Sequence, residues 1–202
     1  MQKWHQLEGA PFPMGASWVP KEAAYNFALY SANADSVRLL FYDQDGVETP
    51  AYTFDFDHLV NKSGPVWHCR IPRARIADAR YYAYQVTGPA PNAEFSWHSF
   101  DSEKLLVDPY ARDVYFPPRF SREAAQRPGS NEGMAPLAVL QNVECVFDWE
   151  DDQPVHHGSD LIIYEMHVRG FTRRENSGVP ETHRGKFLGI VDKIPYLVSA
   201  RK

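Results

Sequence analysis

Apolar and polar residues alternate with a period of two through much of residues 25–86, the pattern of strands that bury one face. Tyr25, Phe27 and Leu29 form a first apolar row, Val37, Leu39 and Phe41 a second, and Tyr52, Phe54 and Phe56 a third. Between the second and third rows, Asp43-Gln44-Asp45-Gly46 ends in Asp-Gly, which predicts a hairpin turn with positive φ. Ser63-Gly64-Pro65 breaks the chain before a strand over Val66 to Ile71, and a fifth strand is predicted over Arg80 to Val86. Starts near 25, 37, 51, 66 and 80 have the even rhythm of an antiparallel sandwich. The pattern therefore predicts an all-β, immunoglobulin-like sandwich over residues 1–118.

The rhythm stops at Gly88-Pro89-Ala90-Pro91. Pro117-Pro118 and Pro128-Gly129 punctuate the next stretch, so residues 119–159 read as a linker. The acidic run Glu150-Asp151-Asp152 reads as a solvated part of it. His156 and His157 are adjacent, and on an extended segment neighbours point to opposite sides, so they do not form a metal pair. From residue 160 the character changes. Leu161 to Val168 is almost continuously apolar, as in a strand buried on both faces of a parallel sheet. Gly185 to Val198 then places Phe187, Ile190, Val191, Ile194 and Leu197 at helical spacing, with a kink or early end expected at Pro195. Residues 160–202 thus predict one βα unit.

Composition sharpens this picture. The chain has 202 residues with 12 Phe, 11 Tyr, 5 Trp and 16 Pro, a bias toward short strands and turns over long helices. Twenty-one basic residues stand against 26 acidic ones, a net charge of −5, and no basic stripe is concentrated anywhere, which argues against nucleic-acid binding. No run approaches the roughly 20 apolar residues of a membrane helix. The start, Met1-Gln2-Lys3-Trp4-His5, has no apolar stretch of the signal-peptide kind, so a cytoplasmic location is expected. Cys69 and Cys145 supply neither a disulfide framework nor a zinc site and read as buried thiols. No metal or other cofactor is implied, and the pattern sets no oligomeric state.

The stretch Tyr164-Glu165-Met166-His167-Val168-Arg169-Gly170-Phe171-Thr172 resembles the first barrel strand of isoamylase-type glycogen debranching enzymes of glycoside hydrolase family 13. The likeness continues through Asn176 to Val179, Arg184 to Gly189 and Lys193 to Leu197. Upstream, Lys104-Leu105-Leu106-Val107-Asp108-Pro109-Tyr110-Ala111 is similar to the motif that leaves that family's N-terminal β-sandwich, carbohydrate-binding module family 48. Gly15-Ala16 with Asn26 to Ser31, and Tyr81 to Tyr84 with Gly88-Pro89, resemble the module's opening and closing strands, and Phe147-Asp148-Trp149 with Asp152 the approach to the barrel. The resemblance implies a family-48 sandwich followed by the first βα unit of a (β/α)8 barrel. Such a barrel averages ~250 residues, whereas 43 residues run from Asp160 to Lys202. The expectation is the N-terminal part of a debranching enzyme with a truncated barrel.

By the resemblance, the complete enzyme hydrolyses α-1,6-glucosidic branches of glycogen or branched maltodextrin with retention. That chemistry needs a nucleophilic and an acid/base carboxyl about 5–5.5 Å apart. No stretch here matches the family's catalytic motifs, so no catalytic residue is assigned. Asp101 and Glu103 would share a face if extended, and so would Glu165 and His167; the first pair reads as exposed and the second as packed inside a nascent barrel. The resemblance brings Arg169 and the loop to Arg184 toward the active-site face. For α-glucan binding, aromatic rings that accept sugar C–H faces are the candidates, and Trp97 with His98, in the polar loop Ser96 to Ser99, is the predicted platform. Trp67, alternating with Cys69 and Ile71, reads as core, while Trp4 and Trp18 are unassigned. Two other readings stand beside the debranching one: a free-standing glucan-binding or regulatory protein, and part of a branching transferase.

Overall fold

The computed structural model describes residues 8–43, 46–94, 96, 99–141, 150–151 and 163–199. The chain divides into two compact units, Met1–Phe147 and Asp148–Lys202. The first unit holds two antiparallel sheets. One has the order β1 (Gly15–Val19), β2 (Ala24–Tyr30), β6 (Val66–Pro72), β5 (Lys62–Ser63). The other runs β4 (Tyr52–Asp55), β3 (Ser36–Tyr42), β7 (Tyr81–Thr87), β9 (Leu137–Val139), β8 (Val114–Tyr115). Each of the five strands read from the alternation is present.

The alternating rows make the core. Tyr25, Phe27 and Leu29 of β2 meet Val37, Leu39 and Phe41 of β3 across the two sheets, with Trp67, Cys69 and Ile71 of β6 and Tyr82, Tyr84 and Val86 of β7. Phe27 sits at the centre, its ring edge-on to Phe41 at 5.3 Å and to Tyr82 at 5.3 Å. Burying one such ring contributes about 2–3 kcal/mol by area alone. Trp67 is 1 % exposed, and its indole N–H donates to the Ser31 carbonyl at 3.1 Å, so the core reading of this residue holds. The Cys69 thiol is free and buried, which pushes its pKa well up; Cys145 lies outside the described residues.

Both sheets are also covered over part of their outer faces, while Ser36, Arg38, Thr53 and Asp55 leave the β4–β3 side of the second sheet exposed. Outside β3, β7 and β9, Leu40, Tyr42, Ala83 and Leu137 pack under Leu105 and Ala135. Residues 8–10 lie along the other sheet and account for its buried polar groups. Asn26 accepts from the Ala10 N–H at 2.7 Å and donates back to the Ala10 carbonyl at 2.9 Å. His68 Nδ1 donates to the Glu8 carbonyl at 2.6 Å, which leaves Nε2 to accept from the Ser63 hydroxyl at 2.8 Å. β2 consequently shows no half-exposed alternation: six of its seven residues are buried.

Two local expectations change. Gly46 does not adopt positive φ, because β3 and β4 first pair at Phe41 and Tyr52 and a wide loop, not a tight turn, joins them. Asp43 closes that loop by accepting the Gly46 N–H at 2.6 Å. The stretch 119–159, read as a linker, contributes β9, which pairs with β7 at Tyr81–Val139 and Tyr82–Ala138. Three residues are too few to register as a period-two pattern, so only the tertiary pairing reveals them.

In the second unit the predicted strand over 161–168 is not found. Residues 161–162 lie outside the described residues; Ile163 to His167 are unpaired, with Ile163 82 % exposed; Val168–Thr172 is a short helix. An apolar strand is stable only with neighbours hydrogen-bonded along its edges, and none stands beside this one among the described residues. The helix expected over 185–198 is split into Phe187–Asp192 and Ile194–Ser199. Pro195 takes the second position of the latter, where its missing N–H costs no hydrogen bond. Thr172, fully buried, organises this unit. Its hydroxyl accepts the Gly185 N–H at 2.9 Å, and its carbonyl accepts the Ser177 hydroxyl at 3.1 Å.

Candidate functional site

A concavity of the first unit opens where the end of β2 meets β7 and the segment 99–109. This cleft of about 410 Å³ is walled by Tyr84, Val86, Phe100 and Leu106, with Tyr30 and Pro109 also lining it. Tyr30 is the last residue of β2, out of phase with the core row 25/27/29, and 56 % exposed. A second, more polar cleft of about 560 Å³ adjoins it and shares Phe100, Asp101, Lys104 and Leu106 with the first.

Buried polar contacts hold the segment that builds both clefts. Leu106 forms an antiparallel bridge with Tyr84, the backbone bonds measuring 2.8 and 2.7 Å. Asn131 behaves as a surrogate strand for Leu105, accepting its N–H at 2.8 Å and donating to its carbonyl at 3.0 Å. Lys104 is buried, and its ammonium donates to the Ala124 carbonyl at 2.5 Å. Asp108 is buried and accepts from the Tyr82 hydroxyl at 2.8 Å and from the Tyr110 N–H at 2.8 Å. Burial raises its carboxyl above the usual range, and these two donors partly offset that rise. Burial likewise pushes the Tyr82 phenol up. Gly15, at φ +81°, passes directly over this point: a Cβ there would stand 2.8 Å from the Tyr110 Cβ.

The residues singled out from the sequence are dispersed. Trp97 and His98 lie outside the described residues, although the loop that carries them ends at Ser99, which lines both clefts. Asp101 and Glu103 do not share a strand face. Asp101 closes a turn, accepting the Glu103 N–H at 3.0 Å and the Gly129 N–H at 2.8 Å. The Gly129 bond, then the Glu103 bond, hold its carboxyl below the usual range. Glu165 and His167 are exposed, not packed inside a barrel, and His167 Nδ1 accepts the Gly170 N–H at 3.0 Å as a helix cap. Arg169 is exposed on that helix. Trp18 packs half-buried on Tyr25 at 5.0 Å, while Trp4, His156 and His157 lie outside the described residues. No cluster of metal-binding side chains occurs among the described residues. Sequence reasoning missed Tyr30 and Lys104 as cleft residues. The signal for Tyr30 was a large ring out of phase with the buried row.

Residues 13–111 match the family described as carbohydrate-binding module 48 (isoamylase N-terminal domain). Over 202 residues the chain is 37 % identical to Isoamylase 3, chloroplastic, of Oryza sativa subsp. japonica, covering 94 % of this chain and 24 % of that protein. It is also 37 % identical over 174 residues to the glycogen debranching enzyme of Cronobacter sakazakii, covering 83 % of this chain and 24 % of the relative. The chain thus spans about a quarter of the length of these relatives. In fold it is similar to GBS pullulanase SAP, solved in complex with maltotetraose, with TM-score 0.63 and 20 % identity over 96 % of this chain and 23 % of that one. No helix among the described residues is long and apolar enough to cross a membrane.

Proposed function

Since the chain belongs, through residues 13–111, to carbohydrate-binding module family 48 of the isoamylase N-terminal kind, we propose that it forms the N-terminal part of an α-1,6-debranching glycoside hydrolase. The observation that carries this reading is the extent of the likeness to isoamylases and glycogen debranching enzymes. It runs through the sandwich and on into the second unit, over 94 % of the chain. On this reading the first unit, Met1–Phe147, is a module that binds α-glucan and supports a catalytic barrel. Residues 160–202 are then the barrel's first βα unit, whose strand becomes regular only beside the barrel strands that would flank it. The catalytic carboxylates lie in that remaining part, not among residues 1–202. A reducing, cytoplasm-like compartment suits the free, buried Cys69.

The test is an activity measurement on two proteins. The 202-residue chain alone is expected to release no reducing ends from glycogen. The same chain fused to the portion of the Cronobacter relative beyond the matched region is expected to debranch glycogen. Debranching by the chain alone, or new branch formation by the fusion, would refute the proposal. A self-sufficient glucan-binding protein is the second reading, favoured by the closed core that the first unit builds from its own two sheets. An inactive fusion, with glycogen binding retained by the chain alone, would select it.

A further inference from the structure

Where would a glucan bind? Much of the broad faces of the sheets is not free to take one. Leu105 and Ala135 cover the outer side of β3 and β7 around Leu40, Tyr42 and Ala83, and the backbone of residues 8–10 is bonded across β2 and β6. Among the clefts left open, the paired one at the end of the sandwich joins an exposed ring to a polar rim, whereas those at Arg38–Asp55 and Glu48–Arg119 carry ion pairs and are lined by no exposed ring. Its chemistry is that of a sugar site: an apolar wall of Leu106 and Pro109, an exposed ring at Tyr30, and a polar side formed by Asp101 and Lys104. A pyranose offers a C–H face to a ring and hydroxyls around its rim, and needs both kinds of surface at once. Lys104 suits the rim: an ammonium has three donors, and the Ala124 carbonyl takes one. Two carboxylates, Asp101 and Glu103, and two cations, Lys104 and Arg127, leave the site without net charge, which suits a neutral ligand.

Resting on the glucan reading above, we propose that this double cleft is the chain's glucan-binding site, taking a short α-1,4-linked segment. The segment stacks on Tyr30 in the apolar cleft and runs past Leu106 into the polar one, where Lys104 and Asp101 bond its hydroxyls. The volume of about 410 Å³ for the first cleft falls in the range of small-molecule sites.

The experiment is a titration of the isotope-labelled 202-residue chain with maltotetraose, followed through backbone amide resonances. Ser31, Lys104 and Leu106 are expected to shift, and Arg38 and Ala138 to stay in place. Tyr30→Ala is expected to weaken binding about tenfold, the equivalent of one lost ring contact. Tyr30→Phe keeps the ring and retains binding, and Phe116→Ala, at an exposed ring away from the cleft, leaves it unchanged. Because Tyr30 is exposed, its replacement spares the core, and a melting curve confirms that the variant is folded. Shifts confined to the Phe116–Phe120 region, full affinity in folded Tyr30→Ala, or no shifts at millimolar maltotetraose would each overturn the site. If the fusion still debranches in any of these cases, the proposed function stands. If the fusion is inactive while the cleft shifts as expected, the proposed function falls and the site stands.

Discussion

Tyr82 and Tyr84 lie two residues apart on β7, both about 1 % exposed, with their rings edge-on at 6.1 Å. Replacing either by Phe removes the same oxygen, yet the structure assigns opposite signs to the two changes. The Tyr82 hydroxyl donates to the buried Asp108 carboxylate, and its loss leaves that charge with the Tyr110 N–H as its remaining donor. A hydrogen bond to a charged group contributes about 1.5–3 kcal/mol, so Tyr82→Phe is expected to cost about 2 kcal/mol. The Tyr84 hydroxyl is buried without a partner among the described residues, and removing it relieves a desolvation penalty while the ring keeps its packing. A gain of about 1 kcal/mol is expected for Tyr84→Phe. For a chain of this size each kcal/mol moves the melting temperature by roughly 2–4 °C, so the two variants should melt about 6–12 °C apart. Thermal melts and urea titrations at neutral pH measure the difference directly. The deficit of Tyr82→Phe should also shrink on acidification, because the carboxyl of Asp108 is raised by burial and becomes neutral as pH falls through its native value. A Tyr84→Phe variant that is destabilised by more than about 1 kcal/mol would refute the assignment of an unpaired hydroxyl. Equal effects at the two positions would refute the role given to Asp108.

Asn131→Ala removes both bonds that hold the Leu105 backbone and should cost about 2–3 kcal/mol by urea titration. Gly189→Ala places a Cβ 2.7 Å from the His183 carbonyl oxygen and 2.8 Å from Thr172 Oγ1. It should expose the second unit to limited proteolysis while leaving the core amides of Met1–Phe147 protected from exchange. Asp101, held below the usual carboxylate range by the Gly129 and Glu103 N–H groups, stabilises the fold above its unfolded pKa of about 3.8 and stops doing so as pH falls through the lower native value. Asp108, shifted the other way, binds its proton more tightly in the folded chain and favours folding as pH falls toward about 3.8. Asp101→Asn should therefore lower stability at neutral pH and flatten the acid limb of the stability profile, measured by melts across that range.

The period-two rows at residues 25–29, 37–41 and 52–56, and the segments 66–71 and 80–86, were legible because strand side chains alternate and a core needs one apolar face. That local rule specifies which face is inward, and the core formed by Phe27, Leu39, Phe41 and Trp67 follows it. It says nothing about which strands become neighbours. The pairing of β2 with β6 and of β3 with β7, the recruitment of β9 from a stretch with no pattern of its own, and the partial covering of the outer faces are decided by contacts far apart in sequence. The same limit applies to the cleft. Tyr30 stood out only as a ring out of phase, and Lys104 only as part of a motif, until Asn131 and the Tyr84 bridge fixed the 104–107 segment in place. The apolar run near 161–168 marks the opposite limit. Its composition suits a buried strand, but a strand acquires its hydrogen bonds from neighbours, and with none among the described residues Ile163 to His167 remain unpaired, all but Met166 exposed. The sequence by itself determined which faces seek burial; the tertiary structure decided what buries them and which surface stays open to a ligand.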